Sequence, residues 1–120
     1  MRVKDAVGRF GEDVAATYLS NVGLTIIERN WRCPDGELDI IARDGEVLIF
    51  VEVKTRSSVA FGDPAEAVNR VKANRLRKLA LLWLAGHRDI AYWSQLRFDV
   101  VSVLRTAQGG PTVRHLKAVL

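Results

Sequence analysis

The chain has 120 residues, 48% of them hydrophobic and 27% charged, a balance that fits one globular domain with a single core and leaves no room for two. One cysteine, Cys33, and two histidines, His87 and His115, exclude an internal disulfide and a thiolate-rich zinc cage, so any metal must be held by oxygen. The net charge of +4 is uneven: residues 1–60 carry 8 Lys/Arg against 10 Asp/Glu, and residues 61–120 carry 10 against 4.

In chain order, Met1 to Arg9 lacks the apolar stretch of a signal peptide, and no later run approaches the roughly 20 apolar residues that span a bilayer. A cytoplasmic location without membrane association is therefore expected. Residues from about Val7 to Asn21 predict a helix, with Ala15, Ala16, Leu19 and Val22 on one face and Gly23 as its stop. Leu24 to Trp31 is strand-like. Cys33-Pro34-Asp35-Gly36 is a turn, and Glu37 to Ala42 forms a second strand. Asp44-Gly45 signals a two-residue hairpin into a third strand, Glu46 to Thr55. Its run Val47-Leu48-Ile49-Phe50-Val51 is apolar on both faces, which predicts a central strand covered on both sides. Asp63-Pro64-Ala65-Glu66 supplies an N-cap, an N1 proline and an N3 glutamate, so a second helix is expected to run from there to Ala85. Gln95 to Leu104 and about Thr112 to Val119 complete the set. The order α-β-β-β-α-β-β predicts an α/β fold, a mixed central sheet flanked by helices.

Charges inside the apolar strands are informative, because a buried charge is costly unless it is paired or bound to a metal. Glu52 and Lys54 stand two apart on the strongest strand, so both leave one face, roughly 6 to 7 Å apart. A turn at Asp44-Gly45 places Asp39 of the neighbouring strand opposite Phe50, one pleat step from Glu52. Two carboxylates converging from adjacent strands beside a lysine suit a hard divalent cation, Mg²⁺ or Mn²⁺. The lysine could help deprotonate an attacking water or offset charge on the phosphorane; the alternative is a buried ion pair of Lys54 with Glu52 or Asp39. At 100° per residue, Glu12 falls on the inward face of the first helix, either as a third carboxylate ligand or as a favourable acid near a helix start. Lys72 falls in the middle of the apolar face of the second helix, Val68, Leu76, Leu79 and Trp83, where it either snorkels outward or reaches the carboxylates.

Thirteen of the 18 cations are arginine, whose planar fork suits phosphate; a solvated basic surface explains them equally well. Arg56 continues the Glu52 and Lys54 face and could grip a phosphate. Arg70 and Arg77 point to the solvent side of the second helix, as nucleic-acid contacts or as solubilising charge. Arg29 and Arg32 flank Trp31, a stacking platform or ordinary core. Arg97 and Asp99 share a strand face and should pair.

Glu12, Gly36-Glu37-Leu38-Asp39 and Phe50-Val51-Glu52-Val53-Lys54-Thr55-Arg56, in this order, resemble the PD-(D/E)XK nuclease superfamily. A narrower match, through Gly11-Glu12, Arg29-Asn30-Trp31-Arg32, Val51-Glu52-Val53-Lys54, Ala67-Val68 with Lys72, and Arg97-Phe98-Asp99-Val100-Val101, looks like the YraN-like bacterial family and covers nearly the whole chain. The resemblance implies a restriction-endonuclease-like αβββαβ core, and the helical Glu is also similar to archaeal Holliday-junction resolvases. By that resemblance Glu12, Asp39 and Glu52 would be metal ligands and Lys54 the catalytic lysine. The superfamily's Pro before the Asp is Leu38 here, which removes no ligand.

The expected activity is a Mg²⁺- or Mn²⁺-dependent endonuclease on DNA, more than on RNA, acting on branched or irregular structures. Arg32, Arg56, Arg70 and Lys72 are the expected nucleic-acid contacts. A chain this small would either act as a homodimer or recognise a local structure with a partner. Since the superfamily includes members that bind without cutting, a non-catalytic nucleic-acid-binding module is the competing expectation.

Overall fold

A computed structural model describes residues 6–57, 69–88, 93–106 and 109–119. Helix α1 spans Ala6–Asn21 and is followed by strands β1 (Thr25–Cys33), β2 (Gly36–Asp44) and β3 (Val47–Arg56). Helix α2 (Arg70–Ala85), β4 (Gln95–Leu104) and β5 (Thr112–Leu116) complete the chain order. The five strands form one mixed sheet in the order β1-β2-β3-β4-β5. Pairing is antiparallel except between β3 and β4, which run parallel across the α2 connection. This is the expected αβββαβ arrangement, with one further strand at the edge.

The apolar character of β3 on both faces follows from its place in the middle of three layers. On one face Ala15, Ala16 and Leu19 of α1 pack against Ile40, Ile49, Val51, Val101 and Val103. On the other, Leu76, Leu79, Ala80 and Trp83 of α2 pack against Leu38, Ile41, Leu48 and Phe50. Alternate residues of β3 therefore belong to different cores, as a period of two requires. Gly11 lets α1 approach closely: a Cβ there would collide with Thr55 Oγ1, which brings the start of α1 against the end of β3. No helix among the described residues is long and apolar enough to cross a membrane.

The strands differ at several ends from the sequence expectation, β1 running on to Cys33, β2 spanning Gly36–Asp44 and β5 stopping at Leu116, and two further differences bear on the site. The β2–β3 hairpin closes on the pair Asp44↔Val47, so its turn residues are Gly45 and Glu46 rather than Asp44 and Gly45. Gly45 has φ +58, the left-handed value that a type II′ turn needs at its first central position. The register moves accordingly: Phe50 faces Ile41, and the last pair, Ile40↔Val51, brings Asp39 to the level of Glu52. The second difference is the start of α2. Asn69 lies in extended conformation and accepts the Lys72 N–H on its side chain, so it ends any continuous helix from the 63–66 segment. The expected cap at Asp63, along with Val68, lies outside the described residues.

Candidate metal and phosphate cleft

Asp39, Glu52, Lys54 and Lys72 line one cleft of about 850 Å³, together with Arg32, Glu37, Arg75 and the Cys33 to Gly36 turn. It opens where β2 parts from β3. Beyond Ile40↔Val51 the ladder stops, and Asp39 Oδ2 takes the Val53 N–H at 2.9 Å. A side chain thus replaces the lost backbone partner, which fixes the Asp39 carboxylate beside Glu52.

The apolar strand that carries Glu52 also buries it, and burial raises its pKa above the ordinary Glu value, with the Asp39 charge adding to the rise. Lys72 opposes this from α2, with Nζ 3.0 Å from Glu52 Oε1. Lys54 is pushed below the usual lysine range by burial and by Lys72, whose side chain it meets. Like charges therefore face each other twice in this cleft, acid against acid and lysine against lysine. Among the described residues no buried side-chain nitrogen or oxygen lacks a hydrogen-bond partner, so the conflict is one of charge rather than of unmade bonds.

The remaining expected site residues are arranged less closely. Arg32 lines the cleft and bonds Glu37 at 3.3 Å. Arg56 stands at the end of β3, where its carbonyl accepts the Arg105 N–H at 2.7 Å. Arg70 is exposed at the start of α2. Glu12 is buried on the inward face of α1, as its helical position predicts, but lies outside the cleft lining. Its Oε1 accepts from Asn30 Nδ2 at 2.6 Å and from Arg29 Nε at 3.3 Å. Asn30 adopts φ 56 inside β1, a conformation Asn tolerates better than most residues, and with it reaches Glu12. Arg29 is held above its ordinary value mainly by Asp13, against the cost of its own burial, with Glu12 contributing further. Among the described residues no group of three His, Cys, Asp or Glu converges to hold a metal.

Sequence reasoning missed Arg75 and Asn30. Arg75 was accessible to it, being one helical turn after Lys72 on the same face. Asn30 enters the sequence reading only within the Arg29-Asn30-Trp31-Arg32 run, where nothing points to its bond with Glu12. His115 was also passed over: its Nε2 lies 2.7 Å from Asp99 Oδ2 and its Nδ1 3.1 Å from the Tyr18 hydroxyl, joining α1, β4 and β5 on the sheet face opposite the cleft. The expected Arg97–Asp99 pair is present and bidentate, both bonds 2.9 Å.

The family model described as uncharacterised protein family UPF0102 matches residues 11–103. A UPF0102 protein of Beutenbergia cavernae is 60% identical over 119 residues, 99% of each chain. One of Nocardia farcinica is 55% identical, covering 97% of this chain and 90% of its own, and one of Streptomyces griseus is 49% identical over 99% of both. Glu12, Asp39, Glu52, Lys54 and Lys72 all fall within the matched span, and the chain belongs to the UPF0102 (YraN-like) family.

Proposed function

We propose that the cleft is the active site of a divalent-metal-dependent nuclease that hydrolyses phosphodiester bonds in DNA, with branched or irregular structures as its substrates. One observation carries this reading: Asp39 and Glu52 meet from adjacent strands beside Lys54, in a cleft edged by Arg32, Lys72 and Arg75. The similarity to the PD-(D/E)XK superfamily points the same way. The donor set fits a hard cation, since two carboxylate groups face each other and burial already disfavours the Glu52 charge, a conflict that Mg²⁺ or Mn²⁺ relieves. Bound there, such an ion supplies Lewis-acid polarisation of the scissile phosphate and neutralises developing charge.

The protein's own groups have separable tasks. Asp39, tied to the Val53 N–H, and Glu52 would hold the ion. Lys54, with its pKa lowered by burial and by Lys72, has a larger share of free amine near neutrality than an exposed lysine, so Nζ can take a proton from the attacking water. Arg32 and Arg75 at the rim would orient the phosphate backbone, with Arg70 and Arg56 extending the basic surface. A homodimer would supply the paired cuts that a two-fold junction demands.

A second reading, a module that binds nucleic acid without cutting it, is favoured by the placement of Glu12 on Arg29 and Asn30 rather than in the cleft. Labelled junction, flap, single-stranded and linear duplex DNAs incubated with Mn²⁺, Mg²⁺ or EDTA separate the two. Metal-dependent cutting that disappears in folded Lys54→Met and Glu52→Gln supports the nuclease. Binding of branched DNA without cutting under any metal supports the module.

A further inference from the structure

Lys72 is the charged partner that Glu52 touches, at 3.0 Å, although Lys54 lies only two residues along the same strand. Its backbone position works against it. Asn69 caps α2 and accepts the Lys72 N–H, which puts Lys72 in the first helical turn, where the helix dipole disfavours a cation. The ammonium is therefore held there by the cleft rather than by its own helix. It also remains within reach of solvent, with the Lys72 side chain 24% and the Glu52 side chain 16% exposed, so an ion from solution can compete for the carboxylate.

We propose that Lys72 is a built-in counter-cation: in the resting protein it occupies the cation position at Glu52, and a divalent ion binds only by displacing it. Lys72 is then the residue that sets the metal affinity of the cleft. The inference rests on the reading of Asp39 and Glu52 as a cation site. It adds that the resting site is closed by the protein's own charge, and that a phosphodiester entering near Arg75 offers the displaced ammonium a new partner. Metal loading and substrate entry are thereby linked through one side chain.

Mn²⁺ alone, titrated calorimetrically into the full chain, provides the test. Lys72→Met and Lys72→Gln should bind Mn²⁺ about tenfold more tightly than the native chain, a coupling of ordinary size for competing ligands. Lys72→Arg, which keeps the charge, should stay near the native value, and adding Glu52→Gln to Lys72→Met should abolish the gain. Arg75→Met is the control for general charge, because Arg75 lines the same cleft; it should change affinity much less. Equal binding by the native chain and both neutral Lys72 variants, lost with Glu52→Gln, overturns the role of Lys72 and leaves the cation site standing. An equal gain in Arg75→Met overturns it too, since any nearby charge would then do. No Mn²⁺ binding by the native chain or by either neutral variant overturns the cation site and the Lys72 inference together.

Discussion

Two charged clusters lie on opposite faces of the same sheet, and they are solved in opposite ways. Under α1, the fully buried Asp99 accepts two bonds from Arg97, one from the Ala118 N–H and one from His115. Burial alone would raise its pKa, yet these donors hold it below the ordinary Asp value. Under α2, burial and Asp39 push Glu52 up while burial and Lys72 push Lys54 down. One cluster is complementary and complete, so it ties β4 and β5 to α1. The other keeps its charges in conflict, and such conflict concentrates at sites that bind or react rather than at sites that hold a fold together.

The largest expected effect comes from breaking the complete cluster. Asp99→Ala leaves the Arg97 guanidinium without its bidentate partner, and should destabilise the fold by about 3 kcal/mol or more, the usual consequence of removing one member of a buried pair. Urea unfolding measures it. A loss below about 1 kcal/mol would mean that the pair contributes no more than an ordinary surface one.

Next in size is a contrast in pH dependence. Asp99 has a depressed pKa, so its contribution is present above the ordinary Asp value and is lost as pH falls through the depressed one. Glu52 has the opposite sign: its contribution is present below the ordinary Glu value and is lost as pH rises through the raised one. Thermal melts of Asp99→Asn should therefore lack part of the native chain's acid sensitivity. Glu52→Gln should lack a decline that the native chain shows just above the ordinary Glu range. If both variants follow the native profile in parallel, the two clusters do not differ as described.

The smallest expected stability effect is that of Lys54→Met, which should be neutral to slightly stabilising, within about 1 kcal/mol, because the fold already disfavours that charge. On the proposed nuclease reading, the same variant should nevertheless lose cleavage completely. A clear loss of stability in this variant would place Lys54 among the structural charges.

Much of this was legible in the sequence where the signal is local. The apolar run of β3 announced a central strand, and Glu52 and Lys54 stood out because they interrupt it. The two-residue period paired Arg97 with Asp99, and the 100° helical step turned Glu12 inward. The rest depends on choices that composition leaves open. Asp44-Gly45 and Gly45-Glu46 are both workable turns, and the glycine decides between them by the position it takes. The observed cap Asn69 and the expected cap Asp63 stand six residues apart, and Asn and Asp are equally good capping residues, so propensity does not choose between them. His115 meets Asp99 only because β5 folds back along β4, and Asp39 takes the Val53 N–H only because β2 parts from β3; neither is written in a neighbouring residue.

The measurement that tests the central claim most directly is the melting temperature of the native chain, Glu52→Gln and Asp39→Asn as Mn²⁺ is raised. A ligand that binds only the folded state stabilises it by about 2.7 kcal/mol at a hundred times its Kd, so the native chain should gain several degrees while both variants stay flat. A native melting temperature indifferent to Mn²⁺ and Mg²⁺ up to millimolar concentrations would contradict the cleft as a cation site, leaving Asp39, Glu52, Lys54 and Lys72 as a structural network like the one around Asp99.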